Sequence, residues 1–328
     1  YNAKFGNNCV PRFADVNGDG ITVGACIYKF DDTFMTGVRN NMTAQAESLG
    51  ATIEIVDSQN KQPNQNEQVD TYITKGVNAL AVNPVDLTAA GPIIDKASAA
   101  GIPIVLLNRQ PSEEDMAKYD KTWYVGARAE ESGTMSGQII LDYFKANAGA
   151  DKNGDGVIQY VMLQGEPGHQ DAELRSEYCV KAMTDAGLQV EEVAKDTAMW
   201  DRVKGQDKMA TFLAAHDNIE AVFCNNDDMA LGAIDACLAA GMTEAELPFI
   251  VGVDATPPAL EAVAAGTLKG TVQNDAAGQA RAMLELACAL AGGTAPGDAV
   301  ELTDGKYVWL PYTTVTKENL EAFLPPAS

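Results

Sequence analysis

The chain has no run approaching the roughly 18 consecutive apolar residues needed to cross a bilayer as a helix, which excludes a membrane-spanning helix. Basic residues are scarce. Lys and Arg number 23 against 46 Asp and Glu, and the net charge of -23 repels phosphate backbones and anionic lipid surfaces, so no nucleic acid is expected as a partner. Cys9, Cys26, Cys179, Cys224, Cys237 and Cys288 show neither CxxC nor zinc-type spacing. Five of these six lie inside apolar strand or helix patterns and read as buried thiols, with one disulfide left open. The first apolar strand, Gly24-Ala-Cys-Ile-Tyr-Lys-Phe-Asp-Asp32, lacks the glycine triplet of a dinucleotide site. There is no P-loop either, and Asp31 and Asp32 stand where a phosphate cradle needs bare amides. No leader precedes Tyr1, so any export signal is expected to have been removed.

What is present is ordinary for a globular protein, with 46% hydrophobic and 21% charged residues in 328, enough for two domains with real cores. Strand-length apolar runs alternate with longer amphipathic segments. Residues 21–28, 52–56, 79–82 and 103–107 read as strands, with helices starting at Phe34 and Asn64. The pattern restarts after Tyr124, with strands at 157–163, 191–194, 221–224, 249–253 and 270–272. Such alternation predicts an α/β protein of two similar doubly wound parallel-sheet domains.

Ligands of open parallel sheets bind beyond the carboxyl ends of the strands. Asp32, Asn83, Asn108, His169, Asp171, Asn226, Asp227, Asp254 and Asn274 all fall there. Any one of them also suits a helix N-cap, the simplest alternative for a single Asn or Asp. Taken together, acceptors and two-way amides suit a neutral molecule with many hydroxyls, as in a sugar. Arg175, one helical turn after Asp171, can donate to such a ligand and hold neighbouring carboxylates in place. Phe34 and Trp200 are the rings expected to cover the sugar's apolar C–H faces. Trp123 and Trp309 lie in strand-like runs and read as packing residues.

Asp151, Asn153 and Asp155 alternate as oxygen ligands, Gly156 marks a sharp turn, Val157 offers its carbonyl and Gln159 falls on the next ligand position. This is half of an EF-hand loop. The twelfth position is Met162 rather than Glu, so any closing carboxylate must come from elsewhere, and a solvated Asp/Asn/Gly turn is the alternative. A second loop, Asp15-Val-Asn-Gly-Asp-Gly20, offers a weaker Ca²⁺ site, since its later positions, Val23 and Cys26, are poor oxygen sources.

Several segments carry a resemblance: Lys29-Phe-Asp-Asp-Thr-Phe34, Asp57-Ser-Gln-Asn60, Gly165-Glu-Pro-Gly-His-Gln-Asp-Ala-Glu-Leu-Arg175, Asp196-Thr-Ala-Met-Trp-Asp201, Asn225-Asn-Asp227, Gly252-Val-Asp254 and Gly270-Thr-Val-Gln-Asn-Asp275. The chain from Ile21 to Phe323 resembles the periplasmic galactose/glucose-binding proteins, the methyl-galactoside transport receptors among type I periplasmic binding proteins. The resemblance implies that Asp32, Asn108, His169, Asp171, Arg175, Asn226, Asp254 and Asn274 hydrogen-bond D-galactose or D-glucose in an interdomain cleft. Phe34 and Trp200 would sandwich the ring. It also implies a structural Ca²⁺ held by Asp151, Asn153, Asp155, Val157 and Gln159, with Glu220 as the closing ligand. One departure is Gln170, where the family usually has Pro after the His.

By the same resemblance the chain crosses between domains three times. One domain would comprise residues 1–126 plus 275–307, and the other, with the calcium loop, residues 127–274 plus 308–328. The implied protein is a monomeric, extracytoplasmic binding protein, periplasmic or lipid-anchored, that serves an ABC permease and also a chemoreceptor. Two rival readings are a carbohydrate-active enzyme using His169 with Asp171 or Asp254, and the effector core of a sugar-responsive repressor. No nucleophile or cofactor motif accompanies the first, and the segment before Ile21 is too short for a DNA-binding helix-turn-helix.

Overall fold

The computed structural model describes residues 16–325; Cys9 and Asp15, singled out above, lie outside them. The chain begins β1 (Thr22–Ile27), α1 (Thr33–Leu49), β2 (Thr52–Asp57), α2 (Gln62–Lys75), β3 (Ala79–Val82), α3 (Ala90–Ala100), β4 (Ile104–Leu107), α4 (Glu113–Met116) and β5 (Thr122–Gly126). It continues through α5 (Ala129–Ala146), β6 (Ile158–Gln164), α6 (Gln170–Asp185), β7 (Val190–Thr197), α7 (Arg202–Ala215), β8 (Ala221–Cys224) and α8 (Asp227–Ala239). The last elements are β9 (Phe249–Val251), α9 (Pro257–Ala265), β10 (Thr271–Gln273), α10 (Ala276–Ala291), α11 (Pro296–Ala299), β11 (Tyr307–Trp309) and β12 (Thr313–Val315).

These elements form two compact units, one of residues 16–127 with Asp275–Pro311, the other of Arg128–Asn274 with residues 312–325. The expected third crossing at Tyr307 is therefore corrected to Pro311/Tyr312. The cause is β11, which pairs with β5 through Tyr307↔Tyr124 and Trp309↔Gly126, so residues 308–311 stay with the first unit.

The first unit is built on a six-stranded sheet of order β11-β5-β4-β3-β1-β2, parallel throughout. β3, β4 and β5 are buried along their whole length, as strands covered by helices on both faces must be. One face packs Val38 and Met42 of α1 and Met283 and Leu284 of α10 against Val23, Ala25 and Val105. The other packs Val69 and Tyr72 of α2 and Ile93 and Ile94 of α3 against Leu80, Ile104 and Leu106. Trp123 and Trp309 are packing residues as expected: the Trp123 indole N–H donates to the Gly305 carbonyl at 3.1 Å, and Trp309 stacks on Tyr307 at 5.5 Å.

The second unit has a four-stranded parallel sheet, β7-β6-β8-β9. A parallel bridge from Val251 to Gly270 sets β10 alongside β9, and β12 pairs antiparallel with β10. β7 is the edge and carries its charged residues outward. Helices α5 and α6 touch through Gly137, where an added Cβ would lie 2.3 Å from the Cys179 carbonyl oxygen. In both units the strand order reverses, at β1 between β2 and β3 and at β6 between β7 and β8, which opens a crevice at the carboxyl ends. The five cysteines among the described residues are buried free thiols.

Candidate functional site

In the first unit Asp32 follows β1 and caps α1, its Oδ1 accepting from the Met35 N–H at 2.7 Å. Its Oδ2 accepts from the Tyr28 hydroxyl. Phe34, in the first turn of α1, is partly buried and packs against the core. Asn108 ends β4 in left-handed backbone (φ 64°), and its Oδ1 lies 3.5 Å from the Asn83 amide nitrogen. Asn83 is fully buried and also accepts from the Tyr28 N–H at 3.1 Å, which joins the ends of β1, β3 and β4. Arg109, not singled out from sequence, is 4% exposed, donates to the Val85 carbonyl at 2.8 Å and lies 4.1 Å over the Tyr28 ring. Its place immediately after a strand was the signal that would have found it, whereas Tyr28 looks from sequence like one more core aromatic.

In the second unit the expected residues converge. His169 caps α6, its Nδ1 accepting from the Asp171 N–H at 3.0 Å, the arrangement of an uncharged ring with its proton on Nε2. Gln170 takes the first helical position, where proline is common but no N–H partner is required, and the His169 N–H still closes the turn on the Glu166 carbonyl at 3.1 Å. Arg175 is 3% exposed and sits at the centre. Its Nε donates to Ser132 Oγ at 3.2 Å, one terminal nitrogen to the Asn225 carbonyl at 2.9 Å and the other to the Tyr312 hydroxyl at 3.1 Å. Asp171 lies 3.4 Å away and the Trp200 ring 5.9 Å. Burial pulls the guanidinium's pKa down, but Tyr312, Asp171 and Asp254 outweigh it and hold the group firmly charged.

The Trp200 indole lies against Gly165 and meets the edge of His169 at 5.1 Å. Asn226 caps α8 through its Oδ1 and donates its amide to the Trp200 carbonyl at 3.2 Å. Asp254 is 8% exposed and accepts from the Asn274 amide at 3.3 Å, the pair being set side by side by the parallel bridge from Asp254 to Gln273. Among the described residues eight non-glycine residues have positive φ, and Asn108, Trp200 and Asp254 are three of them. Such backbone costs on the order of 1–3 kcal/mol per residue and persists where surrounding structure enforces it, often at ligand sites.

Asp32, His169 and Asn226 thus cap helices, and the second polar atoms of Asp32 and Asn226 are tied in turn to the Tyr28 hydroxyl and the Trp200 carbonyl. Asp227 does something else. It is fully buried, accepting from Thr271 Oγ1 at 2.6 Å and the Thr256 N–H at 2.9 Å, and so ties β8 to the Asp254 turn. Burial pushes its carboxyl up to about 7. Because the unfolded chain releases this proton near the ordinary aspartate value of 3.8, stability attached to the protonated form is full below that pH and lost as pH rises to about 7. The melting temperature should fall across that window, and Asp227→Asn should flatten the fall; an unchanged profile would refute the assignment.

The Asp151–Gln159 loop is held by its own carboxylates. Asp151 accepts from the N–H groups of Gly154 and Gly156, at 2.8 and 2.7 Å, and Asp155 from the Val157 N–H at 2.8 Å. Asn153 and Gln159 turn their amide nitrogens to Asp155 Oδ2 at 3.1 and 2.9 Å. Glu220, 1% exposed, accepts from the N–H groups of Lys152 at 2.6 Å and Gln159 at 3.0 Å, which sets its carboxylate beside the loop. Among the described residues no group of three or more His, Cys, Asp or Glu side chains is gathered so as to hold a metal ion. The donors are nevertheless all oxygens, the chemistry a hard cation takes.

A family model described as a periplasmic binding protein domain matches residues 23–295. The chain is 43% identical over 307 residues to the D-galactose/methyl-galactoside binding periplasmic protein MglB of Haemophilus influenzae, covering 92% of this chain and 91% of that one. It is 36% identical over 304 residues to a putative rhizopine-binding protein of Rhizobium meliloti, covering 92% of each. A crystal structure of an ABC transporter solute binding protein from Bacillus halodurans with bound myo-inositol superposes with a TM-score of 0.79 at 30% identity, covering 94% of this chain and 98% of that one. With these matches over nearly its whole length and strand-end polar residues on two parallel sheets, the chain belongs to the type I periplasmic binding proteins, extracytoplasmic solute receptors rather than enzymes.

Proposed function

We propose that this protein is the sugar receptor of an ABC transporter and that its ligand is D-galactose or D-glucose. The observation that carries the reading is the cluster around Arg175: Asp171 and the Trp200 indole lie beside it, His169 and Asn226 meet Trp200, and Asp254, whose charge acts on Arg175, is paired with Asn274. Fixed acceptors and donors beside an aromatic face match a ring with hydroxyls on its rim and C–H bonds on its faces. Asp32, Phe34 and Asn108 supply the same chemistry from the other unit. A sugar bonded by both units has higher affinity for the state in which both reach it, so binding shifts the hinge equilibrium toward that state. A permease, and a chemoreceptor, would read that state.

A ligand missing one hydroxyl leaves a buried partner unmatched, at about 1–3 kcal/mol each, so selectivity for the hydroxyl pattern should be high. Glucose and galactose differ only at C4, and the two oxygens of Asp32 can accept from either epimer.

Asp151, Asn153, Asp155, the Val157 carbonyl, Gln159 and Glu220 are the groups that would hold Ca²⁺. Bound there, the ion would cross-link the loop to Glu220. One calorimetric titration with a panel of monosaccharides, with and without chelator, tests both parts. Micromolar or tighter binding of both D-sugars is expected, together with a lower melting temperature in chelator, because a ligand of the native state alone stabilises by mass action. Binding of neither sugar would overturn the ligand, and an unmoved melting temperature would count against the ion.

A further inference from the structure

Asp32 does not present a free carboxylate. Its Oδ1 is engaged by the Met35 N–H at 2.7 Å and its Oδ2 by the Tyr28 hydroxyl, so the plane of the group is set from two sides. Tyr28 is itself immobilised: it is 4% exposed, its N–H donates to Asn83 Oδ1 at 3.1 Å and its carbonyl accepts from the Asn60 N–H at 2.6 Å. The Arg109 guanidinium lies 4.1 Å over its ring and is fastened to the Val85 carbonyl at 2.8 Å. Resting on the monosaccharide reading above, we propose that Tyr28, clamped by Arg109, is the positioning residue that orients Asp32 and so sets the receptor's tolerance of both C4 epimers.

The reason is geometric. A carboxylate has about four acceptor directions, and two are taken by Met35 and Tyr28. The remaining two point in fixed directions while the group cannot rotate, and they can meet an axial or an equatorial hydroxyl without rearrangement. Without the tyrosine hydroxyl only one oxygen is held. The carboxylate must then be ordered when the ligand arrives, and it settles where one epimer suits it better. Burial, followed by the neighbouring Asp32 carboxylate, raises the phenol's pKa, so Tyr28 stays a donor throughout the working pH range.

The test is calorimetry of D-galactose and D-glucose with the full chain and with Tyr28→Phe, each checked for a cooperative melt. The variant should lose about tenfold in affinity, the scale of one hydrogen bond to a charged group, and the ratio of the two dissociation constants should move by about threefold or more. A role confined to packing would leave that ratio unmoved, so equal weakening of both sugars, unchanged affinity or tighter binding would overturn the proposal. If the wild type binds neither sugar, it is the monosaccharide reading that falls. Should Tyr28→Phe fail to fold, Arg109→Lys, which keeps the charge but loses the planar stack, must move the ratio in the same test, and an unmoved ratio there would also overturn it.

Discussion

Arg175→Met is expected to abolish measurable sugar binding and to cost about 3–5 kcal/mol of folding free energy, the range for breaking a buried charge network by removing one partner. The side chain is 3% exposed and reaches four elements or their ends: Ser132 of α5, Asp171 of α6, the Asn225 carbonyl after β8, and Tyr312 ahead of β12. Methionine fills a similar volume but donates nothing, which leaves the Asn225 carbonyl, the Tyr312 hydroxyl and the Asp171 carboxylate without this cation. Lysine is not a substitute, because a single ammonium cannot reach the three directions that the planar guanidinium serves. Chemical denaturation and calorimetry on the same preparation separate the two effects. A variant within about 1 kcal/mol of the wild type that still binds sugar would show that Arg175 is neither hub nor ligand.

Gly165→Ala should lower sugar affinity by about tenfold to a hundredfold, the order expected for losing a stacked ring face. An added Cβ would lie 2.2 Å from Trp200 Cζ2 and 2.3 Å from Cε2 and Cη2, so the indole must leave its place. It cannot do so freely: the His169 ring abuts its edge, the Trp200 backbone is already left-handed at φ 63°, and its carbonyl is tied to Asn226. Tryptophan emission should shift in the ligand-free variant, and Trp200→Ala should cost a similar factor without adding to the first. Wild-type affinity in Gly165→Ala would mean that the indole does not cover the ligand.

The α/β alternation was legible because parallel strands covered on both faces read as unbroken apolar runs, as in Ala79–Val82 and Ala221–Cys224. The strand-end polar residues were legible for a related reason. The fold places ligands there, and short Asn and Asp side chains suit helix caps as well as ligand groups; Asp32 and Asn226 both cap helices. Arg109 and Tyr28 were not recognised, since a tyrosine inside an apolar strand carries no local mark of a hydroxyl aimed at a neighbour's carboxylate. Tyr312 could not be linked to Arg175 at all, being 137 positions away in sequence.

Local patterning determined where strands and helices form and which side chains stand at their ends, because burial periodicity and capping are nearest-neighbour chemistry. The end of the first unit at Pro311, the inward turn of Asp227 and the holding of Arg175 by Ser132, Asn225 and Tyr312 were decided only by tertiary structure. Each depends on a pairing or hydrogen bond between segments distant in the chain, and such a partner exists only once the sheets have formed.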